Sequence, residues 1–295
     1  MQPLPNQIYI ISLQTYARNY VIYISTSVIL ASIRYSKLNV LEFAHCSFAR
    51  VELFCLPKLE QLICGFWLSE CLPLTLGGYV PCLKEVEIYS TISPHQERFK
   101  LRELLCGTTC INTLSLDFLG QKIWLQLEKY QLSSAFCNLR ELCLYDIFSG
   151  FGLLWTTALL EAAPSLEKHE VEVYEHQCDD EEEIKQIYAE RTNVTWEVSE
   201  FEHLALKELE LVGFNATEEH IVFIGAVMER ASNLQAVVLK EKYCKDCSSA
   251  VSTPSGERRF PKNEDEQEMV VNNLRNRFSS RAQIMFIRDY KLSSN

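Results

Sequence analysis

Cys244-Lys245-Asp246-Cys247 has the spacing of a redox pair or of half a zinc site. A zinc site needs two further ligands at matching spacing, and the sequence has no second C-x-x-C and no H-x-x-x-H. A redox pair would open the helix of a thioredoxin-like unit, whereas this one leads into a stretch rich in Ser, Pro and Gly; the two cysteines are read as incidental. His169, His176 and Cys178 lie beside the acidic run Asp179 to Glu183. A metal could be drawn there, but His169 falls on a core-facing strand position, which suits a packed, hydrogen-bonded imidazole. Phosphate-binding, dinucleotide, nucleophile-elbow and H-E-x-x-H signatures are missing from the sequence. The expectation is a chain that is not an enzyme, with no catalytic residue, no metal and no cofactor.

The elements behind these residues follow from leucine spacing. In FCNLRELCLYDIF, residues 136 to 148, Leu142 and Leu144 stand two apart, the period of a strand with one buried face. The frame apolar-x-x-apolar-x-apolar recurs at Leu38, Leu59, Leu83, Ile111, Leu139, Leu206 and Leu234, with a weaker copy at Leu166, His169 and Val171, and the first positions of all eight lie at intervals of 21, 24, 28, 28, 27, 40 and 28 residues. Most of these match leucine-rich-repeat spacing. Two returns have a helical face: Leu154, Ala158, Leu159 and Ala162 before Pro164, and Ile221, Ile224, Met228 and Ala231 with Thr217 as cap. The fold class expected is α/β: a leucine-rich-repeat solenoid, or horseshoe, with a curved parallel sheet and outer helices.

The 295 residues are 47% hydrophobic and 23% charged, enough for a large core, and the formal charge of −11 argues against nucleic acid as partner. Twelve cysteines, several inside the strand frame, read as reduced thiols of the cytoplasm or nucleus. Residues 20 to 33 are apolar but too short to span a bilayer, and MQPLPNQ lacks the basic start of a signal peptide, so no membrane association is expected. The sequons at Asn193 and Asn215 are read as inert.

The expected organisation is an N-terminal segment over 1–36, the repeats over 37–243, a linker over 244–263 and a capping segment over 264–295, with an acidic insertion near 174–202. In this register the chain resembles the repeat region of plant F-box leucine-rich-repeat proteins, including those with the C-terminal FBD module. LLEAAPSLEKHEVEVY, LALKELELVGF and MERASNLQAVVLKEKY carry the likeness, with the FBD-like part at about 200–290. Leu4-Pro5 and TSVILASIRY, 26 to 35, are similar to the ends of an F-box, although the usual tryptophan is missing; the segment is a truncated or degenerate F-box. The resemblance implies a substrate-recognition subunit of an SCF-type ubiquitin ligase. It would dock a Skp1-type adaptor only if the F-box functions. The alternative is a non-ligase scaffold or truncated family product.

Residues between the frame leucines must face away from the core. They include Glu42, Glu85, Glu87, Tyr89, Asp117, Glu141, Tyr145, Glu170, Glu172, Glu208 and Glu210, with Lys168 and Lys240 in the minority. The expectation is an acidic, partly aromatic concave face that binds a protein target with a basic surface.

Overall fold

The structure is a computed structural model. It describes residues 9–11, 19–22, 29–31, 38–44, 51–52, 56–65, 74–76, 80–89, 99–105, 108, 110–119, 123, 125–126, 133–149, 151–174, 201–242 and 260–288. The C-x-x-C, His176, Cys178, most of the acidic insertion and most of the linker and N-terminal segment lie outside these residues. The chain divides into two units, residues 1–140 and 141–295.

In the first unit, strands β1 (Asn19–Ile22), β2 (Val40–Ala44), β3 (Gln61–Gly65), β4 (Glu85–Tyr89) and β5 (Thr113–Asp117) lie side by side in chain order. Every described pairing is parallel. Leu41, Leu62, Val86 and Leu114 stand in register and are all buried, as are Cys64, Ile88 and Leu116 one step further along. Among the described return residues, Val51–Glu52 pairs with Leu74–Thr75, and Phe99–Lys100 with Leu125–Gln126, all parallel.

In the second unit, β6 (Glu141–Phe148), β7 (Lys168–Tyr174), β8 (Glu208–Val212), β9 (Ala236–Lys240) and β10 (Gln283–Ile287) repeat the parallel arrangement in chain order. Leu142, His169, Leu209, Val237 and Ile284 form one rung, and Leu144, Val171, Leu211, Leu239 and Phe286 the next. Between rungs the strands are tied at their starts, where one carbonyl takes two amides of the next strand. Glu167 O accepts from Lys207 N (2.8 Å) and Glu208 N (3.1 Å), and Lys207 O from Gln235 N (2.8 Å) and Ala236 N (3.1 Å).

The horseshoe expectation does not stand. In place of a curved repeat sheet with a helix outside each unit there is a parallel-sheet α/β core with few helices. In the first unit the described helices are α1 (Leu101–Leu105) and α2 (Ser133–Phe136), about one turn each. In the second, α3 (Thr157–Ala162) follows a 3-10 turn, and of the described helices only α4 (Glu218–Arg230) and α5 (Glu264–Arg277) exceed two turns. Pro57 and Pro81 fall in the first-unit returns, where each removes an amide donor and opposes a helix interior.

The two long helices have the termini that their sequences ask for. Thr217 Oγ1 accepts from His220 N at α4, and Asn263 Oδ1 from Glu266 N (2.9 Å) at α5, while Glu266 reaches back to Lys262 N (2.6 Å). Arg277 forks onto Glu218 at 2.9 and 2.7 Å. Phe278 lies against Gly225, where a Cβ would meet its ring at 2.2 Å, and Phe214, Phe260 and Phe286 stack edge to face beneath. At Gly213, φ is +77° and a Cβ would meet Val173 O at 2.5 Å, so only glycine fits that turn.

Three buried histidines belong to the second unit. His203 Nδ1 accepts the Leu206 amide (3.1 Å) while its Nε2–H donates to Ala163 O (2.8 Å), and His220 Nδ1 accepts the Asn215 amide (3.1 Å). His169 is fully buried, as its strand position requires; Nδ1–H donates to Leu142 O (3.2 Å) and Nε2 has no hydrogen-bond partner. Burial pulls His169 and His220 down to about 4 and lowers His203. The folded rings therefore stay neutral where the unfolded rings take a proton. Their contribution is complete above pH about 6.5 and is lost as pH falls toward 4, roughly 2 kcal/mol at pH 5 for each of the two most shifted rings. Urea unfolding midpoints should drop steeply between pH 7 and pH 5; a flat profile there would contradict the neutral assignment.

Candidate functional site

Because side chains alternate along a strand, the residues between the buried rungs of β6 to β9 gather on the opposite face. Pairing sets Glu141, Lys168 and Glu208 in one row and Cys143, Glu170 and Glu210 in the next. Lys168 Nζ stands among four carboxylates: Glu170 at 3.3 Å, Glu210 at 3.4 Å, Glu141 at 3.8 Å and Glu208 at 3.9 Å. Lys240 also pairs with Glu210. Further along, Lys242 bridges Asp146 (2.7 Å) and Glu172. Asp146 reaches it from a bulge between Leu144 and Ile147, where its own φ is +48°.

Partial burial sets the electrostatics. It pushes the Glu170 carboxyl up, Glu210 adds to this, and Lys168 opposes it. For Lys168, burial favours the neutral amine, but Glu210, Glu170 and Glu141 outweigh it and raise the ammonium above its ordinary value. Glu172 is raised by burial against the pull of Lys242, and Lys242 is itself raised.

Cys143 lies at the floor of this face, 3% exposed, and shares a hydrogen bond with Tyr145. Burial pushes the thiol up to about 11, Tyr145 partly offsetting it and Glu170 and Glu141 adding to it. The Tyr145 hydroxyl is raised too, first by burial and then by the Cys143 bond. One ligating atom each from Glu141, Cys143 and Glu170 lies within 4.8 Å of the others. Two carboxylates and a thiol so close form a donor set for a divalent transition metal.

The other expected face residues sit in the first unit. Glu42 is on β2, Glu85, Glu87 and Tyr89 on β4, and Asp117 on β5. Glu85 and Glu87 are both exposed; partial desolvation raises Glu87, and Asp117 and Glu42 add to it. The Tyr89 ring covers Gly65, at a distance of 1.9 Å from where a Cβ would be. Sequence reasoning placed the acids by alternation but missed Cys143 as a donor, taking it for strand packing, and missed Asp146 and Lys242. Alternation alone would have put Cys143 beside Glu141; the bulge that aims Asp146 has no such signal.

No protein-family model matches the chain, and neither curated proteins nor solved structures give a match. The resemblance to plant F-box leucine-rich-repeat proteins is therefore not upheld, since the parallel-sheet core with few helices also departs from it. With it go the SCF receptor role, the concave target-binding face and the Skp1-type adaptor, which have no basis among the described residues. The expectation of a chain without catalytic groups is corrected as well: a carboxylate and thiol cluster on a parallel-sheet α/β fold points to catalytic potential. Among the described residues no helix is long and apolar enough to cross a membrane.

Replacing Lys168 by Met leaves Glu141, Glu170, Glu208 and Glu210 without their shared cation. It should cost about 2 kcal/mol at pH 7.5, the scale of a charged group left unsatisfied. Glu170 is already raised above its unfolded value and would rise further, so the folded variant binds more protons than the unfolded chain and its deficit shrinks as pH falls. Urea unfolding of Lys168→Met and the unsubstituted protein, compared at pH 7.5 and 5, tests this; a pH-independent difference would contradict it.

Proposed function

We propose that this protein is a metal-binding α/β protein with hydrolytic capacity, its metal held by Glu141, Cys143 and Glu170. The observation that carries the reading is the convergence of three donor atoms within 4.8 Å from adjacent parallel strands. One thiolate and two carboxylates form a borderline-soft, anionic set, which suits zinc better than magnesium or calcium. Glu141, Cys143 and Glu170 would hold the ion, and zinc bound by three protein groups would supply an acidified water as nucleophile.

Lys168 competes with the metal for Glu141 and Glu170. Its ammonium retains Glu208 and Glu210, on the far side of β7, as partners. The thiol must ionise before it binds a cation, so metal uptake releases a proton. With Cys143 pushed up to about 11, zinc affinity should rise about tenfold per pH unit between pH 6 and 8.

Zinc titrated into the full chain against a chromophoric chelator, at pH 6, 7 and 8, measures this slope. Cobalt in its place should give a sulfur-to-metal charge-transfer band that Cys143→Ser abolishes. A zinc affinity unchanged by Cys143→Ser, or independent of pH, would remove the proposal.

A further inference from the structure

The bulge in β6 brings two consecutive residues to the polar face. Leu144 pairs with Val171 and Ile147 with Val173, so Tyr145 and Asp146 together oppose Glu172 alone. In an unbroken strand neighbouring side chains point to opposite faces, and one of the two would turn to the leucine side. Instead the left-handed backbone at Asp146 carries its carboxylate to Lys242 (2.7 Å), while Tyr145 hydrogen-bonds Cys143. The Asp146 contact ties β6 to the chain beyond β9. The Tyr145 contact ties nothing across the sheet, because both of its partners belong to β6. Bulges of this kind re-aim side chains beside functional sites.

The hydroxyl is the donor in this bond. A sulfur that binds a cation has lost its proton and can only accept. Burial first, then the Cys143 bond and the Glu170 and Glu172 charges, hold the Tyr145 hydroxyl protonated. Cysteine has one side-chain torsion with three staggered wells, and a hydrogen bond to Sγ selects among them. The well occupied is the one that keeps Sγ within 4.8 Å of a carboxylate oxygen from each of Glu141 and Glu170.

We infer that Tyr145 is a positioning residue of the metal site: its O–H donates to Cys143 Sγ, holds the sulfur toward Glu141 and Glu170, and draws electron density away from it. This rests on the reading of Glu141, Cys143 and Glu170 as metal donors. Groups that orient a ligand through a hydrogen bond tune both affinity and the electronic character of the ligand. A sulfur that accepts such a bond gives up electrons less readily, so its charge-transfer band lies at shorter wavelength than that of a bare thiolate.

Cobalt spectra and zinc titrations of the full chain at pH 7 test this. In Tyr145→Phe the sulfur-to-cobalt band should persist but move to longer wavelength, and zinc affinity should fall about tenfold. Replacing Tyr145 by meta-fluorotyrosine keeps the ring and strengthens the donor, so the band should move to shorter wavelength. That variant also decides the matter if Tyr145→Phe folds poorly by circular dichroism. A band that stays in place in the folded variants, that both variants move in the same direction, or a zinc affinity unchanged in folded Tyr145→Phe would overturn the inference and leave the metal site standing. No band in the unsubstituted chain, or one that survives Cys143→Ser, would remove the metal reading and this inference with it.

Discussion

Parallel register is the constraint on which the second unit depends. A parallel pair has evenly spaced, slanted bonds and no hairpin to set its alignment. Here alignment is set at the strand starts, where Glu167 O and Lys207 O each hold two amides of the next strand. Those carbonyls bring Leu142, His169, Leu209 and Val237 into one buried rung. A slip by one residue would exchange the leucine rung with the row of glutamates. The penalty for burying Glu170 and Glu210 in the core makes the alternative register unavailable, so the acids specify the fold as much as the leucines do.

The same constraint creates the polar face. Glutamates from neighbouring strands in register stand one strand spacing apart, close enough to repel. Lys168 relieves this in the middle of the group and Lys242 at its far end. Burial raises Glu170 and Glu172 against the pull of these cations, and keeps the Cys143 thiol protonated at neutral pH. The ammonium groups hold these carboxylates by charge and hydrogen bonds.

How far this was legible in the sequence depends on the range of the interaction. The strands around Leu114, Leu142 and Leu209 follow from a spacing of two, and the Thr217 cap from its place before Glu218 and Glu219. Both are local. The architecture was misread by extending two good helical returns, 154–162 and 218–231, to all the others, although Pro57 and Pro81 interrupt the earlier ones. The candidate site was half legible. Alternation put Glu141, Glu170, Glu208 and Glu210 on one face. The partnership of Cys143 with Glu170, or of Lys242 with Asp146, depends on register between segments 27 and 96 residues apart, and on a left-handed residue in a bulge that no spacing rule announces.

Lys242 has one more consequence. It follows the end of β9 and grips Asp146 on β6 and Glu172 on β7, passing over β8 to reach them. The two sides of the acidic insertion are therefore joined by a clamp that owes nothing to the covalent chain between them. The alignment of β6 and β7 with the strands that follow is thereby fastened by side chains as well as by the backbone ladder.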